Sequence, residues 1–335
     1  MKIVLTGANG FIGSNLINYL NNKNIVPYCL VRKNADISVI EIINKNNDGY
    51  KLVETDYNDP ASLNIALHDA DIIIHLAAVL RGYSYEDILR ANLDVTENLI
   101  KSARQSAPGL KRFIFISSQA ACGPSSNDCG LCEDDPEKPI TNYGRSKLEA
   151  EKFITGQADI PWTILRPVSV FGPGDRITLK MFKMASNRMI FSITGKPRYY
   201  TVVSAYDVCA AIYLSMFNDK SIHKKYFVST DGKISMKEMY LKIMEYLPGK
   251  KRFIIPLTFP PFLIKIYGHI SEYTAKLLRL KEIPFINIDR VNESVAESFL
   301  ASNEKLKSDL DFKPAHDTDA VFKTAAEWYV KNGWL

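Results

Sequence analysis

Along the first half of the chain, short runs that are apolar throughout alternate with segments in which apolar residues recur every three or four positions. Uniformly apolar runs suit strands buried on both faces of a parallel sheet, and the helical-period segments suit the helices that cover it. Strands are predicted at Lys2–Thr6, Ile25–Val31, Tyr50–Glu54, Asp71–Leu76, Arg112–Ser117 and Trp162–Arg166, the last stopped by Pro167. Helices are predicted at Phe11–Asn22, at Tyr85–Ala107 (ended by Pro108-Gly109) and at Tyr143–Thr155. Beyond Gly172-Pro173-Gly174 the rhythm loosens. There the pattern predicts helices at Asp207–Phe217, Ser235–Tyr246 and Thr318–Asn332, with Lys225–Ser229 as a strand returning to the sheet. The fold class is α/β: a doubly wound parallel sheet built from residues 1–172 plus about 205–232. Residues 173–204 and 233–335 form a smaller, mostly helical lobe.

One segment breaks the pattern. Phe253 to Ile270 is strongly apolar but interrupted by Pro256, Pro260, Pro261 and Lys265. Its plain reading is a buried crossover and helix of the second lobe; the functional readings are a greasy pocket wall or a shallow peripheral membrane contact. The chain holds no run of about 20 apolar residues, so no transmembrane helix is expected. The opening MKIVLTGANG meets Gly and Asn where a signal peptide would stay apolar, and a cytoplasmic location is expected.

Composition excludes more than it selects. A formal charge of +5 over 335 residues argues against a nucleic-acid partner. Five cysteines make no disulfide scaffold, which fits a reducing compartment. Cys129-Gly-Leu-Cys132 has CxxC spacing with Cys122 upstream, yet no histidine lies at ligand spacing, so no metal site is expected. Free loop thiols are the simpler reading, a redox or metal role the alternative.

The chemistry sits in two motifs. Gly7, Gly10 and Gly13 follow the first strand directly and open the first helix. In that context one glycine allows a tight turn, the next lets backbone approach a pyrophosphate, and the third lets helix pack close to strand. The phosphates then rest on unpaired N–H groups at the helix N-terminus, the arrangement of a Rossmann dinucleotide site. The second motif is Tyr143-Gly-Arg-Ser-Lys147, which follows Ser118 by 25 residues. Positions four apart share a helix face, so phenol and ammonium project together. A cation at that range is expected to pull the phenol below its usual value of about 10 and make it a proton donor or acceptor.

Together these residues resemble the extended short-chain dehydrogenase/reductase family, which includes NAD-dependent epimerases and dehydratases. The resemblance runs nearly end to end. TGANGFIG, with Asn9, Phe11 and Ile12 between the glycines, is similar to the cofactor loop. Asp56 stands where the family's adenine-contacting aspartate falls. Leu76, Ala77 and Ala78 match the segment beside the ribose, and Asn92 the family's helix asparagine. LRPVSVFGPGD is similar to the family segment whose backbone lies along the nicotinamide, which implies that role for Pro167 and Val168. The tail EWYVKNGWL resembles a branch related to 3β-hydroxysteroid dehydrogenases. The resemblance implies that Tyr143 exchanges the substrate hydroxyl proton. Lys147 would lower the tyrosine's pKa and bind the ribose, while Ser118 would hold the substrate oxygen.

Departures from the family pattern narrow the substrate. Dehydratases place an acid pair after the serine; here Gln119 and Ala120 stand there. Sugar-nucleotide epimerases carry an arginine seven residues before the later aspartate; counting back from Asp207 lands on Tyr200, with Arg198 two residues away. Cys122 replaces a tyrosine, which makes that wall smaller and less polar. The expected substrate-contacting set is Ser118, Gln119, Cys122 and Arg198. At the end of the second strand, Arg32-Lys33 stand where an acidic residue would favour NAD, so NADP is favoured and NAD is the alternative. The resulting expectation is an NAD(P)-dependent oxidoreductase acting on a hydrophobic, sterol-like secondary alcohol or ketone. A nucleotide-sugar epimerase is one rival and a non-catalytic dinucleotide-sensing binder another. The family resemblance also implies a homodimer through the helices at 85–107 and 143–155.

Overall fold

A computed structural model describes residues 1–45, 49–249, 253–278, 284 and 286–335. Its first half runs β1 (Ile3–Thr6), α1 (Phe11–Asn21), β2 (Tyr28–Val31), α2 (Ser38–Ile43), β3 (Lys51–Glu54), α3 (Pro60–Leu67) and β4 (Ile72–His75). It continues with α4 (Tyr85–Leu89), α5 (Val95–Ser106), β5 (Arg112–Ile116), α6 (Asn142–Thr155) and β6 (Trp162–Pro167). A helix that runs back across the sheet returns the chain to the edge where the previous strand began, so this alternation yields parallel neighbours joined by right-handed crossovers. The sheet order is β3-β2-β1-β4-β5-β6-β11, all parallel, with β11 (Lys224–Val228) closing one edge.

Both faces of the sheet are covered, as the apolar runs require. Leu5 and Ile74 pack on one side against Leu16, Ile17 and Leu20 of α1. Val4 and Ile73 point the other way, against Leu63, Leu67, Leu99, Ile100 and Ile154. Several helix starts are closed by side-chain caps. Asp59 accepts from the N–H groups of Ala61 and Ser62 ahead of α3, and Thr141 accepts from Gly144 N at 2.9 Å ahead of α6.

The second lobe follows from β7 (Ser169–Phe171), α7 (Leu179–Ser186), β8 (Met189–Ile193), β9 (Tyr199–Tyr200), β10 (Val202–Ser204) and α8 (Ala205–Phe217). After β11 come β12 (Ile234–Ser235), α9 (Met236–Tyr246), β13 (Ile255–Phe259), α10 (Pro261–Leu277), α11 (Ile288–Val295), α12 (Glu304–Leu310) and α13 (Thr318–Lys331). Phe171, Phe182, Met239, Tyr240, Ile243, Phe322 and Tyr329 form its core. Helix α8 instead packs back on the sheet beside α1, through Val208 and Ile212.

Four local differences from the sequence expectation have physical causes. The long helix over Tyr85–Ala107 widens into a π turn at Arg90–Asp94, where Asn92 turns inward to bond the chain beyond β4. Helices α2 and α3 escape a period-based reading because six and eight residues span barely two turns. Pro167 is the last residue of its strand and not the first beyond it: it pairs with Val228, and after Val168 the chain continues into β7, which pairs with β10. Finally, Phe253–Ile270 is not buried. Helix α10 buries only a narrow stripe, Ile264, Gly268 and Ala275, while Phe262 is 60% and Tyr273 68% exposed.

Beneath α6 lies a buried ionic cluster. Arg166 and Glu151 are both fully buried, 2.6 Å apart, and Arg166 also reaches Glu137 at 2.9 Å. Ser117 donates its hydroxyl to the same Glu151 carboxylate. Burying two charges repays their desolvation only while both partners stay. Arg166→Met is therefore expected to cost about 3–5 kcal/mol in urea unfolding. Breaking the exposed Lys152–Glu149 pair with Lys152→Ala should shift stability by no more than about 0.5 kcal/mol.

Candidate functional site

The glycine loop closes tightly on its neighbours. Gly7 has φ +68°, and a Cβ there would stand 2.5 Å from the backbone N of Ala77. A Cβ on Gly13 would meet the Gly7 carbonyl at 2.2 Å. Only bare backbone fits at either place, so α1 begins flush against the end of β1, with its first N–H groups at the carboxyl edge of the sheet. Asn9 donates to the Asp36 carbonyl at 3.1 Å and fixes the loop from the other side. Leu76 and Ala77 are drawn in by bonds to the Thr6 carbonyl (3.3 Å) and hydroxyl (3.2 Å), and Ala78 follows directly. His75 sits beneath, between the hydroxyls of Thr6 (2.7 Å) and Thr96 (3.0 Å). Full burial, with the Lys147 cation adding to it, holds its pKa well below the usual range, so it is neutral.

A crevice of about 850 Å³ opens beyond the ends of β2 and β3, lined by Arg32, Lys33, Asp56, Tyr57 and Arg90. The Arg32 guanidinium lies 5.8 Å from the centre of the Tyr57 ring. Tyr57 donates to the Leu30 carbonyl at 3.1 Å, and burial pushes its pKa up to about 12. A glycine cradle that excludes any Cβ, a helix N-terminus and a cation-lined crevice along one sheet edge fit an elongated dinucleotide.

The second cavity, about 400 Å³, lies over the start of α6. Phe11, Ile12, Pro167 and Val168 line it on the glycine-loop side, and Ser118, Gln119, Ala120 and Tyr143 on the other. Ser118 accepts from Ala120 N at 3.1 Å, which turns the chain off β5, and its side chain is hydrogen-bonded to the Tyr143 phenol. The sequence expectation of an acidified phenol is not met. Burial pushes Tyr143 up to about 12, with the Glu293 carboxylate raising it further and the Ser118 bond only partly opposing. The reason is visible in Lys147: its ammonium lies 3.9 Å over the Phe115 ring, and it is not among the groups that shift the tyrosine. Burial drops Lys147 from 10.5 to about 7 despite the Glu151 carboxylate one turn further on.

Three expected site residues lie elsewhere. Asn92, 2% exposed, grips both the N–H and carbonyl of Val79 (2.7 and 3.0 Å) and the Ser146 hydroxyl (2.8 Å), bracing the chain beyond β4 against α6. Cys122 is packed in the sheet core and does not reach the cavity wall; burial pushes its thiol to about 12. Arg198 donates to the backbone carbonyl of Ala296 at 2.9 Å and is not part of the cavity lining. Gln119 does reach the cavity, though its amide is committed to the Leu300 carbonyl at 3.1 Å. Cys129 and Cys132 are exposed loop thiols.

Sequence reasoning missed α11. Asp289, Arg290 and Glu293 all face the cavity, with Arg290 and Glu293 paired at 3.6 Å. Asp289 accepts from Asn142 N at 3.0 Å and from Tyr143 N, so a carboxylate from the second lobe caps the helix that carries the tyrosine. No motif or period announces these residues; only the chain's return over the cavity assembles them.

A sequence model of the NAD dependent epimerase/dehydratase family matches residues 3–228. UDP-glucose 4-epimerase of Vibrio cholerae is 27% identical, over 98% of this chain and 96% of that one. Sterol-4-alpha-carboxylate 3-dehydrogenase, decarboxylating, of Dictyostelium discoideum is 24% identical over 93% and 95%. Among solved structures, the Bordetella bronchiseptica enzyme WbmG in complex with NAD and UDP superposes with a TM-score of 0.77 at 20% identity. It covers 99% of this chain and 96% of that one.

Burial of Lys147 makes stability depend on pH. An unfolded lysine keeps its proton up to 10.5, whereas the folded one releases it near 7. Below about 7 both states hold the proton and the folded state bears the full cost of a buried cation. Between there and 10.5 the unfolded state binds more protons, so stability rises with pH. Lys147→Met is expected to raise the melting temperature by a few degrees at pH 6. That gain should shrink steadily toward pH 10, as read by calorimetry across the range.

Proposed function

The chain belongs to the NAD-dependent epimerase/dehydratase family, the extended short-chain dehydrogenases/reductases, and from that premise we propose that this enzyme reduces a ketone, or oxidises the matching secondary alcohol, on a hydrophobic, sterol-like body. The observation that carries the proposal is the Ser118–Tyr143 hydrogen-bonded pair at the floor of a cavity whose walls are mainly apolar, Leu80, Phe171, Met181, Met239 and Phe299 among them. Sequence relatives named for action on sterols support the same substrate class.

When bound, a nicotinamide cofactor supplies or accepts the hydride. The chain's own residues handle the oxygen and its proton. Ser118 donates to or accepts from the substrate oxygen and holds it beside the phenol. Tyr143, with a pKa near 12, is protonated at neutral pH and so is ready to deliver a proton to a developing alkoxide. Gln119 and Ala120, which stand where a dehydratase would need acids, offer no group to expel a hydroxyl. Residues 173–204 and 233–335 shape the substrate side, with α11 as the roof.

Arg32 and Lys33 at the mouth of the outer crevice favour NADP, whose 2′-phosphate they would pair, over NAD. A homodimer joined through α4, α5 and α6, located in the cytoplasm, belongs to the same proposal. The rival reading is nucleotide-sugar epimerisation, favoured by the end-to-end similarity to the Vibrio cholerae epimerase. Net absorbance change at the nicotinamide band with apolar ketones supports the first reading. Conversion of UDP-sugars without net absorbance change supports the second.

Tyr143→Phe should lower kcat by about 10³-fold or more while leaving dinucleotide affinity within about twofold. Equal turnover in the mutant would falsify the role assigned to the phenol. Reduction should hold level with rising pH until the solution approaches the phenol's value near 12, whereas oxidation should rise with pH because it needs the phenolate. Arg32→Asp is expected to weaken NADP binding about tenfold or more, with a smaller change for NAD. Equal losses for the two cofactors in titration calorimetry would overturn the NADP preference.

A further inference from the structure

Among the described residues, twenty large hydrophobic side chains are exposed, and twelve of them fall between Phe253 and Leu278. Scattered exposed apolar residues need no explanation, but a concentration of this kind does. It is built on α10, whose exposure is inverted relative to an ordinary surface helix. Such a helix buries a broad apolar face and shows polar residues to water. Here the buried stripe is narrow, and Phe262, Ile266, Tyr267, Ile270, Tyr273 and Leu277 point outward instead. The neighbouring strand β13 adds Ile255 (52% exposed) and Phe259 (39%) to the same region of the chain.

The charge of this stretch of sequence says what covers the patch, although of its charged residues only Lys265, Glu272 and Lys276 fall among the described ones. Residues 249–282 carry seven lysines and arginines against Glu272 and Glu282, an excess of five, which equals the formal +5 of the whole chain. Lys265 and Lys276 are exposed on α10 itself, the latter paired with Glu272 at 2.9 Å. A protein partner or a second copy would bury the apolar side chains but leaves the cations unexplained. A bilayer with anionic headgroups answers both, since it takes apolar side chains to the acyl boundary and meets the basic ones at the surface. Tyr267 and Tyr273, apolar rings with a polar tip, are the kind of residue that settles at that boundary. No helix of the described residues is long and apolar enough to cross a membrane, so the contact is a surface one.

We propose that α10, with β13, docks this enzyme on an anionic phospholipid bilayer. The inference deepens the proposed function and rests on it only for what the contact serves: a hydrophobic ketone or alcohol partitions into lipid and is presented there. The geometry links the two. Gly268 of α10 packs so closely on α11 that an added Cβ would lie 2.7 Å from a Val291 methyl. The same α11 turns Asp289, Arg290 and Glu293 to the cavity. Helix α11 thus carries the docking helix on one side and faces the substrate cavity with another.

The test is sedimentation of the full chain with phosphatidylcholine vesicles, with and without phosphatidylglycerol. The expected result is partition onto the anionic vesicles that weakens as salt is added. The double variant Ile266→Glu, Ile270→Glu should lose about a hundredfold in partition. It replaces exposed residues only, so its melting temperature and dinucleotide affinity should stay at the wild-type values. Lys265→Glu, a milder change, should reduce partition onto anionic vesicles alone. The proposal is overturned if the full chain remains in the supernatant with both vesicle types, or if the double variant partitions like the wild type. It is equally overturned if the substitutions abolish a concentration-dependent dimer in a chain that never binds vesicles, because a second copy would then be the occupant. The readout is binding without turnover. A chain that binds vesicles yet reduces no apolar ketone sinks the substrate assignment and leaves the docking surface standing.

Discussion

Tyr143, Lys147 and Glu151 stand at four-residue steps on the inward face of α6, and the electrostatics of the site follow from how their charges are shared. Glu151 is claimed by Arg166 at 2.6 Å and by the Ser117 hydroxyl, so little of its negative charge is left for Lys147. The lysine is consequently a buried cation with incomplete compensation, resting on the Phe115 ring, and its proton is loosely held. The buried ion pair is a weak contributor to stability by itself. Its consequence is to leave one ammonium, close to the tyrosine in sequence and space, free of a full salt bridge.

The two lobes are joined at the same helix. Asp289, from the second lobe, accepts the first N–H groups of α6, and Glu293 one turn later raises the Tyr143 pKa. At the other wall, Tyr329 of α13 donates to the Asp175 carbonyl at 2.6 Å, while the Asp175 carboxylate caps the start of α7 through the Ile177 and Thr178 N–H groups. The cavity thus has a floor supplied by the sheet and a roof supplied by elements that arrive more than a hundred residues later in the chain. Movement of the roof would alter the phenol's environment directly, because Glu293 contributes to the tyrosine's pKa.

What was legible in the sequence was what local physics dictates. Strands buried on both faces are apolar almost throughout, and glycines pressed against backbone can be nothing else; hence β1, β2, β4, β5 and β6, Gly7 and Gly13 were readable from one chain. Tyr143 and Lys147 were readable because a helix converts a spacing of four into a shared face. Their pKa values were not, since those depend on burial and on Glu151 and Glu293, and burial outweighed the cation expected to acidify the phenol. Cys122 and Arg198 illustrate the same boundary. Sequence position put them near the substrate, but the side-chain directions that sent one into the core and the other onto a backbone carbonyl are tertiary facts. Helix α11 left no local signal at all.

The apolar segment at 253–270 shows how composition underdetermines burial. A greasy helix in a soluble chain is ordinarily core, because exposing a dozen large apolar side chains costs more than most domains can spare. Here the helix buries only Ile264, Gly268 and Ala275, and the remainder faces outward. Three residues decide this. Gly268 removes the side chain that would otherwise hold α10 away from α11, and Pro260-Pro261 end β13 and set the helix start with no N–H to satisfy. The stripe buried at this close approach is narrow, and a narrow stripe leaves the rest of the circumference apolar and uncovered. An exposed apolar surface kept on a helix that is itself seated on the cavity roof costs stability for no structural return, so its return must be sought in what the surface contacts.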